Sequence, residues 1–397
     1  MKPGHIKLIT AIVPLCFSLA GCNTTTVKTT SYEQVHLESE VTPEELLLDV
    51  GVGIFNPGID ALSVEEAGVY PKIREAEARF IPFKLMETLQ HTGNWGVVRV
   101  VPDRISEMDI WVDGEILKSD GENLWLQVSV EDASGKRWFS KKYTDIAGKY
   151  SYDGTTANRS EPFQKIYNQI ANDMLAYRNQ YDAGEIRTIR TIAELKFARD
   201  FSPEVFHDYL ELDEKGRYSV TRLPAEGDPS LQQIRQIRER DNIFVDTLQQ
   251  YYASFVNQME APYREWREAY FLESQALKEV KSESNARLIG GALAVLAGIL
   301  AQGVDSRTAN TAGWVGIGAG AAAIQSGLQK REEAKIHVEA LEEVSASLDS
   351  EIEPHSIDLE DRTVTLTGTV REQYGQWRRI LKEIHATETG SATDAGK

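Results

Sequence analysis

The sequence predicts an α+β protein. It is read as an N-terminal α/β sandwich on a mixed sheet with helices, a long helical hairpin stalk with a glycine-rich tip, and a small C-terminal αβ module. Three observations carry that reading. Between residues 44 and 182, apolar residues alternate with polar ones at strand period, and helical stretches separate and close the runs. Between 183 and 349, apolar positions recur at helical spacing. Within that region, residues 288–328 hold two apolar arms that carry small residues at every fourth position.

The chain opens with Lys2 and Lys7, then an apolar run from Leu8 to Ala20, then Leu19-Ala20-Gly21-Cys22. A short apolar run that ends in small residues reads as an export signal, too short for a membrane span. Cys22 after Leu-Ala-Gly resembles the lipobox of bacterial lipoproteins. That resemblance implies cleavage before Cys22, acylation of its thiol and amine, and a stable lipid anchor, since several buried acyl chains suffice to hold a protein on a bilayer. Asn23 stands where Asp would imply inner-membrane retention in that family, so the resemblance points to the outer membrane, facing the periplasm. Residues 1–21 are therefore expected to be removed. Residues 22–43, rich in Thr, Ser and Glu, are expected to form a flexible tether.

Removal of the leader takes two lysines and no acids, so the formal charge moves from −18 to about −20. Such an acidic protein is not expected to bind nucleic acid through general electrostatics. Of the two cysteines, Cys16 leaves with the leader and Cys22 is consumed by lipid, so stability is expected from packing alone, without a disulfide.

In the first domain, 44–182, Leu46 to Val52 reads as a buried strand and Pro71 to His91 as a helix that Pro82 is expected to kink or interrupt. Trp95 to Val101 reads as a second strand. A three-strand meander follows, through Ile110, Val112, Gly114 and Ile116, then Leu124, Leu126, Val128 and Val130, then Trp138, Ser140 and Lys142. Ser119-Asp120-Gly121-Glu122 and Ala133-Ser134-Gly135-Lys136 are its turns, and a helix over Glu161 to Asn179 closes the unit. The run Met108-Asp109-Ile110-Trp111-Val112-Asp113-Gly114-Glu115-Ile116, followed by the meander with Asp132-Ala133-Ser134-Gly135-Lys136, resembles the periplasmic α/β domain shared by CsgG, PelC, the LpoB-type activators of peptidoglycan synthases and the N-terminal domain of TolB. That resemblance covers about a third of the chain. It implies partner binding or ring assembly and supplies no catalytic residue. A generic α+β sandwich is the alternative.

The region 183–349 opens with a helix marked by Ile186, Ile189, Ile192, Leu195 and Phe197. Ser202-Pro203-Glu204 is a helix start with Ser202 as N-cap and Pro203 at N1. Asp213 to Gly216 is a turn, and Tyr218 to Leu223 a short extended segment. A long helix opens at Asp228-Pro229, with Pro262 expected to break or kink it. Tyr251, Tyr252, Tyr263, Trp266, Tyr270 and Phe271 read as helix-packing core in preference to a glycan-binding platform.

The apolar arms run from Leu288 to Ala301 and from Thr311 to Ile324. Gly290, Ala294 and Gly298 make a smooth stripe on the first; Ala312, Gly316 and Gly320 make one on the second. Such stripes let helices approach closely. Each arm is about 14 residues, roughly 21 Å of helix, which is short of a full span. A hairpin buried in protein, a hairpin that dips into a bilayer and an oligomerisation seam all remain open. The flanks, Tyr263 to Arg287 and the amphipathic Gln325 to Leu348, are expected to pair into a stalk.

In the module 350–388, Ile357 to Glu360 and Thr363 to Val370 read as strands and Glu372 to Ala386 as a helix; the strand-to-helix phrase resembles part of a BON module. Residues 389–397 read as a disordered tail. Seven scattered histidines show no metal-ligand spacing, and no nucleophile elbow or phosphate loop appears. No cofactor, no metal and no catalytic residue are expected. The expected role is a lipid-anchored, non-enzymatic assembly or accessory subunit of an envelope or secretion complex, with a protein partner or homo-oligomer. Activation of a peptidoglycan synthase and a wall- or polysaccharide-acting enzyme are the alternatives.

Overall fold

The computed structural model describes residues 33–38, 42–59, 71–102, 104, 108–148, 151–152, 161–289, 343, 354–358 and 363–389. The predicted α+β class is the observed one: a five-stranded mixed sheet with helices, a long helix, and a small C-terminal sheet module.

The sheet is built from β1 (Val50–Gly53), β2 (Val98–Val101), β3 (Ile110–Ser119), β4 (Asn123–Asp132) and β5 (Arg137–Ile146), in the order β2-β1-β3-β4-β5. β1 is parallel to both neighbours, and β3, β4 and β5 form the antiparallel meander. Two helices, α1 (Pro71–Thr92) and α2 (Gln164–Arg178), cover one face. The strand alternation explains why. Leu124, Leu126, Val128 and Val130 are buried, while Trp125, Gln127, Ser129 and Glu131 between them are half-buried on the opposite face.

Two strand boundaries differ from the sequence reading. β1 begins only at Val50, because Glu44–Leu46 close a 3₁₀ turn in which Leu46 N–H donates to Pro43 O at 2.8 Å. β2 begins at Val98, after Gly96 N–H has turned to Leu48 O at 2.9 Å. Between β4 and β5 the pairing shifts: Val130 pairs with Phe139 and Glu131 with Arg137, so Trp138 is the bulged residue. That bulge breaks the expected alternation and swings Trp138 into the core, where its indole donates to Asp132 Oδ2 at 2.9 Å and stacks on Tyr177 with centroids 5.2 Å apart.

Neither proline ends its helix. Pro82 lies inside α1, and Pro262 lies inside α5 (Pro229–Ile289), a single helix of 61 residues and roughly 90 Å. Tertiary packing outweighs the lost backbone bond at each: Pro82 is itself buried, and Pro262 sits between the buried Met259 and Tyr263.

The segment 33–38, expected to belong to a flexible tether, is fastened to the body. Asn168 Nδ2 donates to Glu33 O at 2.6 Å, His36 N–H to Asn172 Oδ1 at 2.7 Å, and Asn94 Nδ2 to His36 O at 2.9 Å. Asn94, Asn168 and Asn172 are buried, so their amides require such partners.

After α2 come α3 (Ala183–Phe201), the single turn α4 (Pro203–Phe206), and the hairpin β6 (Leu210–Leu212) with β7 (Tyr218–Val220) around the expected 213–216 turn. Asp182 and Glu185 form a capping box at the start of α3. Ser202 is the N-cap of α4, but its side chain caps nothing there and bonds to His385 instead.

The C-terminal module is β8 (His355–Asp358), β9 (Thr363–Leu366) and α6 (Val370–Glu388). The second strand stops four residues short of the expected Val370. Gly368 takes φ +96°, and Thr369 caps α6 with Glu372 in a second capping box. α6 packs along α5, and the buried apolar residues from Leu48 to Leu381 form one continuous core.

Candidate functional site: the seat of the long helix

The sequence placed its candidate residues at Cys22 and at Gly290, Ala294, Gly298, Ala312, Gly316 and Gly320. All of them lie outside the described residues, as do most of the second flank and the tail. What the structure does describe is the helix that leads to the glycine-rich segment and the surface that holds it.

α5 is fastened along most of its length. Near its start, Arg235 forms a bidentate pair with Glu194 of α3 at 2.6 and 3.2 Å. One turn and a half later, the buried Asp241 accepts from Arg378 Nη1 at 3.1 Å and Tyr374 OH at 3.3 Å, both on α6. Burial pushes the Asp241 carboxyl above the usual range, and Arg378 works against that rise.

At the edge of the sheet, Asp246 takes both arms of Arg99 at 2.6 and 2.9 Å. Gln249 then uses its amide as a surrogate strand. Its Oε1 accepts from Val100 N–H at 2.9 Å, and its Nε2 donates to Val100 O at 2.8 Å. The open edge of β2 is thereby capped by a helix side chain.

Further along, α5 crosses α1 at a buried polar cluster. Glu77, fully buried, accepts from Tyr263 OH and Ser119 Oγ, each at 2.6 Å, with Arg74 Nε at 3.8 Å. Burial pushes the Glu77 carboxyl up, while Arg74 and the two hydroxyls pull it down. Arg267 forms a bidentate pair with Glu161 at 2.5 and 3.0 Å and lies over the Tyr263 ring at 4.1 Å. Burial opposes the charge on Arg267, but Glu161 outweighs it and the guanidinium stays protonated.

The β3–β4 turn closes the seat. A Cβ on Gly121 would stand 1.9 Å from Arg267 O, so only glycine lets the turn meet the helix. Beyond it, Ser274 Oγ donates to Glu122 Oε2 at 2.6 Å and Lys278 pairs with the same carboxylate. The aromatics expected as core are core: Tyr252, Tyr263, Trp266 and Phe271 are buried, and Tyr251 and Tyr270 pack against them.

Two other arrangements have chemical interest. Ser202 Oγ and His385 Nε2 stand 2.5 Å apart, the spacing of a nucleophile and its base. Both residues are buried and, among the described residues, His385 Nδ1 has no hydrogen-bond partner to orient the ring for proton transfer. Burial holds the His385 pKa below its ordinary value, which keeps the ring neutral as a packing element. The second is Asp109, buried beneath β1, which accepts Asp49 N–H at 2.8 Å. Burial, and then the neighbouring Asp49 charge, push its pKa up to about 6. Sequence reasoning missed both, because each pair unites residues far apart in the chain.

Among the described residues, no cluster of three or more His, Cys, Asp or Glu is arranged to hold a metal, and no helix is long and apolar enough to cross a membrane.

The fold is thus a mixed-sheet α+β body with a long helix seated on it. No protein-family model matches the sequence, and a search of curated proteins finds no match. Among solved structures, this chain is similar to a PelC dodecamer from Paraburkholderia phytofirmans, at 16% identity, over 38% of this chain and 97% of that one, with a TM-score of 0.22. At that score the likeness carries no argument about function.

Proposed function

We propose that this chain is a lipid-anchored cell-envelope protein, held by Cys22 at the outer membrane and facing the periplasm, that acts as a non-enzymatic assembly or accessory subunit. One observation carries the reading. α5 is fixed to the body from Arg235 to Lys278 and runs on to Ile289, where the apolar, small-residue segment begins. A helix held at so many points transmits the position of the body to its far end, and that end leads into the stretch best suited to close helix packing.

The attachment of residues 33–38 adds to this. From Cys22 to Glu33 is about 11 residues, so the body stays within roughly 40 Å of the lipid. A short leash and a stiff arm suit a protein whose task is to hold something at a fixed place near a membrane.

Labelling of cells with radioactive palmitate tests the anchor: label on the full chain, lost in Cys22→Ser together with partition into the detergent phase, is the expected result. Unlabelled full chain contradicts it. Co-purification from the envelope tests the assembly role. A stable secretion or envelope subunit is expected; a peptidoglycan synthase in its place points to the activator reading, and glycan turnover without a partner to an enzyme.

A further inference from the structure

An open sheet leaves an edge strand on each side, with a row of N–H and C=O groups that need partners. In the order β2-β1-β3-β4-β5 the two edges are β2 and β5. The Gln249 amide caps β2. β5, Arg137–Ile146, carries no such cap among the described residues.

The register shows which groups of β5 face outward. Ala147 N–H donates to Glu122 O at 2.7 Å, one residue beyond the Asn123–Ile146 pair. That pair is therefore a non-hydrogen-bonded one, and pairs of the two kinds alternate along the ladder. Phe139, Lys141, Tyr143 and Asp145 turn their backbone groups to β4, while Ser140, Lys142 and Thr144 turn theirs away from the sheet. All three are exposed, and no described residue bonds their N–H or C=O. The side chains divide in the same way. Lys141 and Tyr143 reach Asp173 of α2, each at 2.6 Å, and Asp145 meets Lys165 of α2 at 3.8 Å. Lys142 lies on the opposite face, over the Trp125 ring at 4.4 Å.

The charge on this edge is the reverse of the chain's. The protein carries a net charge of −18, yet residues 133–144 hold Lys136, Arg137, Lys141 and Lys142 and no acid. Asp173 neutralises Lys141, whereas Arg137 and Lys142 have no carboxylate partner among the described residues. Lysines on an edge deter a like strand. A second copy set edge to edge would bring Lys142 and Arg137 against cations of the same kind, so the charge disfavours self-pairing and favours an acidic strand.

We propose that β5 is a docking edge for an acidic, extended segment of a partner protein, which adds to the sheet as a further strand beside Ser140, Lys142 and Thr144. The outward N–H and C=O groups supply affinity for a main chain, and the side chains supply the choice of partner. Acidic residues of the added strand lie on the Lys142 face, and apolar ones alternate with them on the α2 face. This surface deepens the assembly reading and rests on it for its purpose, but it does not involve residues 288–328.

The probe is a capped octapeptide of alternating valine and glutamate, added to the full chain in detergent, with the valine–lysine peptide of equal length as control. Calorimetry reads binding, and hydrogen exchange followed by mass spectrometry reads protection of the β5 amides. The glutamate peptide is expected to bind and to slow exchange in β5 but not in β4; the lysine peptide is expected to do neither. Lys142→Glu should weaken binding about tenfold. Thr144→Pro removes an N–H that points away from the sheet, which an edge strand tolerates, and should weaken binding about threefold to tenfold. Absence of binding, equal binding of both peptides, binding without protection of β5, or unchanged affinity in both variants overturns the proposal. So does concentration-dependent protection of β5 with no peptide present, which makes a second copy the occupant. Each of these results leaves the anchor and the association through residues 288–328 standing, because palmitate labelling and light scattering report on those separately.

Discussion

At the scale of single residues, the most informative group is Asp109. It is 2% exposed with a pKa of about 6, above the 3.8 of an unfolded chain. Between those values the folded protein binds more protons than the unfolded one, so stability falls as pH rises from about 4 to 6. The expected loss across that window is about 3 kcal/mol. Asp109→Asn keeps an acceptor for Asp49 N–H and abolishes the charge. Urea unfolding at pH 4, 5, 6 and 7 should show the slope in the native protein and its absence in the variant, which should be the more stable at pH 7. An identical slope in both would place the titration elsewhere.

This residue also shows where sequence reading stops. The alternation around Asp109 was legible, because a strand with period two announces which side chains face the core. That a carboxylate would be buried with them was not, since its neighbours Asp49, Arg190 and Arg238 arrive from three other elements. The same holds for Ser202 and His385, 183 positions apart. Ser202 has every local mark of a helix cap, and a long-range partner claimed its hydroxyl instead.

At the scale of elements, turns and strands were read closely and ends of elements less so. Asp120 in the first turn, whose Oδ1 accepts from Asn123 N–H, and Gly135 in the second, with φ +82°, fix the hairpins through requirements that are local. The prolines leave their helices uninterrupted for a complementary reason: a proline's cost is local, but the packing that offsets it along α1 and α5 is not. The edge of β2 gives a test at this scale. Gln249→Ala leaves Val100 N–H and C=O without their partners, and a loss of about 1–3 kcal/mol is expected in denaturant unfolding. Gly121→Ala acts at the other end of the seat, where the added methyl meets Arg267 O. It should release α5 near Tyr263 and raise hydrogen exchange of its amides beyond that point more than those of the sheet; uniform exchange across both would show that the turn does not hold the helix.

At the scale of the whole molecule, α5 is the organising element. It touches α3, α6, β2, α1 and the β3–β4 turn, and through it the C-terminal module joins the same core as the sheet. The sequence made the α+β class legible, because strand and helical periods occupy separate stretches. It did not reveal that α5 lies against the sheet edge, since the polar residues that attach it there, Asp246 and Gln249, look like a solvated face until β2 is beside them. On the proposed function, this fixed helix presents residues 288–328 for association. Light scattering on the mature chain with Cys22→Ser, with and without residues Leu288 to Leu328, tests that. A defined oligomer or a need for detergent in the complete chain, with a soluble monomer after the deletion, is expected. Soluble monomers in both would contradict it and leave the segment as internal core.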